Sequence, residues 1–217
     1  MAKKIMFNDK YSLTQAVLDG RKTMTRRVCK YDRPDETYSI VFLFYKSNYY
    51  DNDGNIVYSL NNNFGWRNDK GDFTGWNIPK YKVGEVVAIA QSYLDLSLAE
   101  VSQWKSNGNK TTINSLAGWT NKLFTKAELM PHHIRITNIK IEKLQGISDK
   151  DCLKEGIYKG QCGSADTHFM DAYYYKGDIQ PYCTPREAFA ALIDKVSGKG
   201  TWESNPYVFV YEFELID

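Results

Sequence analysis

The chain has 217 residues, a length that suits one domain with elaborations. Its 42% hydrophobic and 25% charged residues are ordinary for a globular protein. A net charge of only +2 lacks the basic bias of proteins that grip long duplexes through their phosphates. Any nucleic-acid contact is therefore expected to be local: a nucleoside, a loop or a single strand. No apolar run approaches the ~18 residues a membrane span needs, and the first residues lack the apolar core of a signal peptide. No membrane association is expected, and the cytoplasm is the expected location. Sixteen tyrosines favour β-structure and flat stacking surfaces.

In chain order, residues 4–7 read as a short strand. Ser12 is placed to cap a brief helix, with Gln15 as its capping-box partner, Leu13, Ala16 and Val17 on the apolar face and Gly20 as the stop. The basic segment 20–27 emerges from that helix end. Residues 31–80 are rich in Tyr, Asn, Asp and Gly; the runs 38–45 and 56–60 around Asp53-Gly54 predict a hairpin, and 61–75 reads as loop. This region has too little apolar content for a core of its own and is read as an insertion, so 1–217 is taken as a single domain. Residues 81–90 give a turn and a buried strand. A short helix is possible over 98–104 with Ser97 as cap, followed by a loop at 107–109.

The strand 133–144 changes its alternation between Ile136 and Ile139, which predicts a bulge near Asn138. Ser148, Asp151 and Gly156 bracket another short helix. Residues 158–183, with Tyr173, Tyr174 and Tyr175, read as loop. The clearest helix follows: Thr184 caps it, Pro185 opens it, Glu187 closes a capping box, and Phe189, Leu192, Ile193 and Val196 line one face up to Gly198. In the last strand Tyr207, Phe209, Tyr211, Phe213 and Leu215 share a face and read as core. Trp66, Trp76 and Trp119 could stack on a base, but packing is the simpler reading. His132, His133 and His168 carry no pattern beyond strand-start and loop positions. Cys29, Cys152, Cys162 and Cys183 form no CxxC pair, and with His168 their spacing matches no common zinc pattern. Reduced thiols, no metal and no cofactor are expected.

Several of these segments together resemble the ASCH family of the PUA-like superfamily. Gly20-Arg21-Lys22-Thr23-Met24-Thr25-Arg26-Arg27 is similar to its G-x-K-x-x-x-x-R signature. Tyr81-Lys82-Val83-Gly84-Glu85 is similar to its Y-x-x-G-D strand entry. The stretch 134–157, the last helix and the ending 202–213 resemble longer bacterial and phage-type members. Together they cover roughly half the chain, in the family's order. The resemblance implies an α+β fold: a PUA-like mixed β-barrel with short flanking helices, here carrying an inserted hairpin and loops. It implies RNA or modified-nucleoside binding through a cationic cleft, with RNA or a small or single-stranded nucleoside ligand as the partner. Small members remove the acetyl group of N4-acetylcytidine, which implies catalytic roles for Lys22, Thr25 and Glu155 in an amidohydrolase alternative. Arg27 matches the signature arginine; Arg21 and Arg26 are further ligand-binding candidates. Long members continue the first barrel strand as Arg-Glu-Thr-Trp, whereas this chain has Ala90-Gln91-Ser92-Tyr93. That departure argues against a simple transfer of the small enzymes' specificity.

The implied chemistry sets conditions. Thr25 needs a base to act as a nucleophile. Lys22 can be that base if burial and the neighbouring arginines lower its pKa. Glu155, near a helix C-terminus, is expected to have a raised pKa and to shuttle a proton. On a regular strand Lys22 and Thr25 would point to opposite faces, so the segment must bend. The remaining alternative is a non-catalytic interaction protein of phage or mobile-element origin.

Overall fold

A computed structural model describes residues 2–50, 56–96, 117–164 and 168–216, with the backbone alone for 43–50 and 56–62. The reading of 98–104 and 107–109, and the Asp53-Gly54 turn, lie outside these residues.

Among the described residues the architecture is α+β, with three sheets and few, short helices. The strands are β1 (Lys4–Ile5), β2 (Met24–Val28), β3 (Tyr38–Tyr50), β4 (Ile56–Asn68), β5 (Phe73–Asn77), β6 (Val86–Ile89), β7 (His133–Lys143), β8 (Tyr158–Cys162), β9 (Met170–Tyr174) and β10 (Tyr207–Leu215). The helices are α1 (Leu13–Leu18), α2 (Asp149–Lys154), α3 (Pro185–Ser197) and α4 (Thr201–Ser204). The main sheet runs β1-β6-β7-β10-β2, parallel between β1 and β6 and antiparallel elsewhere. Its ladder ends at β1 and β2, and among the described residues no pairing joins these ends into a closed barrel.

β10 sits inside the sheet because both of its faces are apolar. Phe209, Tyr211 and Phe213 are buried, and so are Val208 and Val210 on the other face. The expected face was one stripe; the burial of both stripes is what an interior strand requires. Leu215, expected in that core stripe, is instead exposed at the strand's end. The bulge falls where the alternation shifts: Glu212 opposes Asn138 and Phe213 opposes Ile136, leaving Thr137 as the extra residue.

α3 forms as its local signals dictate. Thr184 accepts from the Glu187 N–H, and Glu187 accepts from the Thr184 N–H. Its Phe189, Leu192 and Ile193 face the core. Ser148 caps α2 through the Asp151 N–H at 3.1 Å. The expected cap of α1 differs. Ser12 sits at φ 51 and makes no side-chain cap bond; Asn8 instead caps a short 3-10 turn just before it, and Gln15 donates to Asp19.

Two stretches read as loop are strands. β4 continues to Asn68 and pairs with β5, because Phe64 and Trp66 alternate inward and anchor this sheet to the main core. Phe64 packs edge-on against Phe209 at 5.6 Å. Residues 158–174 contain the antiparallel hairpin β8–β9, with Tyr158 stacked on Tyr174 at 5.8 Å.

Candidate functional site

The segment between α1 and β2 makes the bend that the site requires. The chain leaves α1 through Gly20 at φ 70, and the Lys22 N–H bonds back to Ala16 O at 2.8 Å. Lys22 therefore lies before the strand rather than on it. The strict alternation that would separate it from Thr25 does not apply.

Glu155 closes α2, and Gly156 turns the chain away at φ 107. This brings Glu155 to Lys22, 133 positions earlier. Lys22 Nζ donates to the Glu155 carboxylate at 2.6 Å and to its backbone carbonyl at 2.8 Å. Arg26 Nη1 meets the other carboxylate oxygen at 3.1 Å. Lys22 is 2% exposed and Glu155 4%, so the pair is out of bulk water. Burial lowers the Lys22 pKa; Glu155 opposes this, while Arg27 and Arg26 add to it. The expectation for Glu155 rested on the helix end. The structure instead sets two cations on its carboxylate.

Lys22, Thr25, Arg26, Arg27 and Glu155 all line one cleft of about 500 Å³. Phe189, Leu192, Ile193 and Val196 of α3 form its apolar wall, and Met6 and Asn8, just after β1, contribute to its lining. Thr25 is buried and its hydroxyl has no hydrogen-bond partner among the described residues.

The three arginines part company. Arg27 lines the cleft, donates to Met6 O at 2.5 Å and lies 6.0 Å from the Phe7 ring. Arg26 is spoken for: besides Glu155 it holds Glu142 at 2.7 Å and Asp151 at 3.8 Å, and its guanidinium lies over Phe189. It positions Glu155 rather than offering a free cation. Arg21 lies apart from the other two. It is exposed, pairs with Asp19 at 2.9 Å and lies outside the cleft lining, because a carboxylate two residues back captures it.

β2 contributes its backbone as well. Phe213 N donates to Thr23 O, and Cys29 N donates to Tyr207 O. The odd-numbered residues of β2 therefore face β10, and the N–H and C=O groups of Met24, Arg26 and Val28 point to the strand's free edge. Arg26 and Val28 are among the residues that line the cleft. The cleft thus occupies the seam between the two ends of the open sheet. Sequence reasoning missed Glu142. The only signal for it was a strand carboxylate on the same face as Arg26, two strands away.

Compared with protein-family models, with curated proteins and with solved structures, the chain has no match in any of the three. Among the described residues no helix is long and apolar enough to cross a membrane.

Proposed function

We propose that the cleft binds an RNA nucleotide or a modified nucleoside, in a PUA-like domain of the ASCH type whose barrel is represented by the five-stranded sheet. The observation that carries this reading is the convergence of Lys22, Thr25 and Glu155 in a recess walled by α3. Its volume of about 500 Å³ lies in the usual small-molecule range of roughly 300–1,000 Å³. A flat apolar base fits the α3 wall, and its polar edge can meet the free edge of β2. Arg27 supplies the charge for a phosphate.

A second reading is favoured by one feature, the buried Lys22–Glu155 pair beside a hydroxyl without a partner. In that reading the site removes an acyl group from an N-acylated nucleoside. When the proton of the buried pair sits on Glu155, neutral Lys22 takes the Thr25 proton as Thr25 attacks the acyl carbon. Glu155 protonates the leaving amine, and Arg27 steadies the oxyanion. Water then cleaves the Thr25 ester, giving a proton to Glu155 while Lys22 returns one to Thr25.

Calorimetric titration with N4-acetylcytidine and cytidine, with product followed by chromatography, tests both. Binding without turnover supports recognition. Turnover that disappears in Lys22→Ala supports hydrolysis. A folded protein that neither binds nor converts either compound counts against the cleft as a cytidine-type site.

A further inference from the structure

A second cavity adjoins the first. It has about 510 Å³ and shares Met6, Arg27 and Val28 with the cleft. Arg27 and Val28 of β2 line both. Among the described residues its lining contains Arg27, Lys30 and Lys80 and no carboxylate. None of these three cations has a carboxylate partner among the described residues. Asp32, close in sequence, lies outside the lining and is 3.8 Å from Lys143.

The same cavity has an aromatic wall left open to solvent. Tyr31 is 41% exposed and Trp76 38%. Trp76 is held in place from behind: its ring lies against Gly65 so closely that a Cβ there would sit 2.8 Å from Cε3, and Phe73 stacks on it at 6.0 Å. Lys30 lies 4.9 Å from the Tyr31 ring, so charge and ring belong to one surface. Unpaired cations interleaved with exposed aromatics, without a carboxylate, suit a polyanion that carries flat rings. That is the chemistry of a single-stranded nucleic acid. A net charge of +2 fits such a short, local contact.

We propose that this second cavity takes the nucleotide flanking the one in the cleft, so that the ligand is a single-stranded RNA segment rather than a free nucleoside. The inference rests on the cleft being the nucleoside site. The linking phosphate meets Arg27, the next phosphate meets Lys30 and Lys80, and the flanking base packs against Trp76 and Tyr31.

The test is calorimetric titration of the full chain with mononucleotides and with mixed-sequence pentaribonucleotides, at two salt concentrations. The pentamer is expected to bind at least about tenfold more tightly than any mononucleotide. Trp76→Ala is expected to remove about tenfold of pentamer affinity, and Lys30→Ala/Lys80→Ala to flatten its salt dependence, with mononucleotide affinity unchanged in both. All three positions are exposed, and circular dichroism melts verify that the variants fold. Equal affinity for pentamer and mononucleotide, or pentamer binding indifferent to both variants, overturns the proposal. Pentamer binding that depends on Trp76 but not on Lys22 retains the second cavity and sinks the cleft reading. Absence of binding by any probe sinks both.

Discussion

Glu155 is the residue on which the buried charges balance. It faces Lys22 at 2.6 Å and Arg26 at 3.1 Å, and all three side chains are almost fully buried. Neutralising it leaves Lys22 without a counter-ion and Arg26 with Glu142 as its near partner. Breaking a buried pair from one side costs about 3–5 kcal/mol, because the remaining charge is stranded. Glu155→Gln is therefore expected to lose about that much in urea unfolding. Lys22→Met/Glu155→Gln is expected to recover part of it, since removing both charges removes the stranded ammonium. A loss below about 1 kcal/mol in the single variant would mean that water reaches the pair and screens it. Arg21 shows the limit of reading charge from sequence at this scale. Within one basic run, Lys22 is buried, Arg26 is tied to three carboxylates and Arg21 is captured by Asp19. Composition cannot separate these fates, because they depend on which strand or helix end passes nearby.

At the scale of elements, the end of α2 sets the site. Gly156 has φ 107, a region that side-chain-bearing residues rarely adopt, and a Cβ there would meet Leu13 Cδ2 at 3.1 Å. Gly156→Ala is expected to cost about 1–3 kcal/mol through backbone strain and crowding. It should also weaken ligand binding, because the turn aims Glu155 at Lys22. Gly146→Ala is the control: a Cβ there meets nothing within 4 Å, and its φ lies outside the positive region. A scanning melt of the two variants decides the matter; equal midpoints would contradict it. The elements that announced themselves in the sequence did so through local chemistry. Thr184, Pro185 and Glu187 determine where α3 begins regardless of the rest of the fold. The alternation shift before Ile139 marks a bulge because a strand has no other way to keep both isoleucines inward. β5 and the β8–β9 hairpin gave no such signal. Their partners lie outside the strands themselves: Trp66 against Tyr207 at 4.9 Å for the sheet that holds β5, and a Tyr173–Tyr182 bridge for the hairpin.

For the whole molecule, the approach of Lys22 to Glu155 is present as a buried ion pair, and the short helix that carries Glu155 has its own sequence marks in Ser148 and Gly156. The open seam between β1 and β2 has no such mark, because strand order at a sheet's ends depends on long-range packing. That packing can be probed through the four cysteines, which sample it at different depths. Cys29 and Cys152 are buried, Cys162 is half-buried and Cys183 is exposed. Burial pushes the Cys29 and Cys152 thiols up from 9.0 to about 12, and only the thiolate is the reactive form. Alkylation with iodoacetamide at pH 8 is expected to modify Cys183 first and Cys162 more slowly; Cys29, which lines the second cavity, stays slow because its thiol keeps its proton, and Cys152 is reached only in denaturant. The same shift carries a sign for stability. Between the ordinary thiol value of 9.0 and the folded value of about 12, the unfolded chain gives up protons that the folded chain keeps. Their contribution is complete below the ordinary value and declines as pH rises through this window. Peptide mass mapping reads the labelling and alkaline melts read the decline. Rapid labelling of Cys152 in the native protein would show that α2 does not pack against the core as its full burial requires.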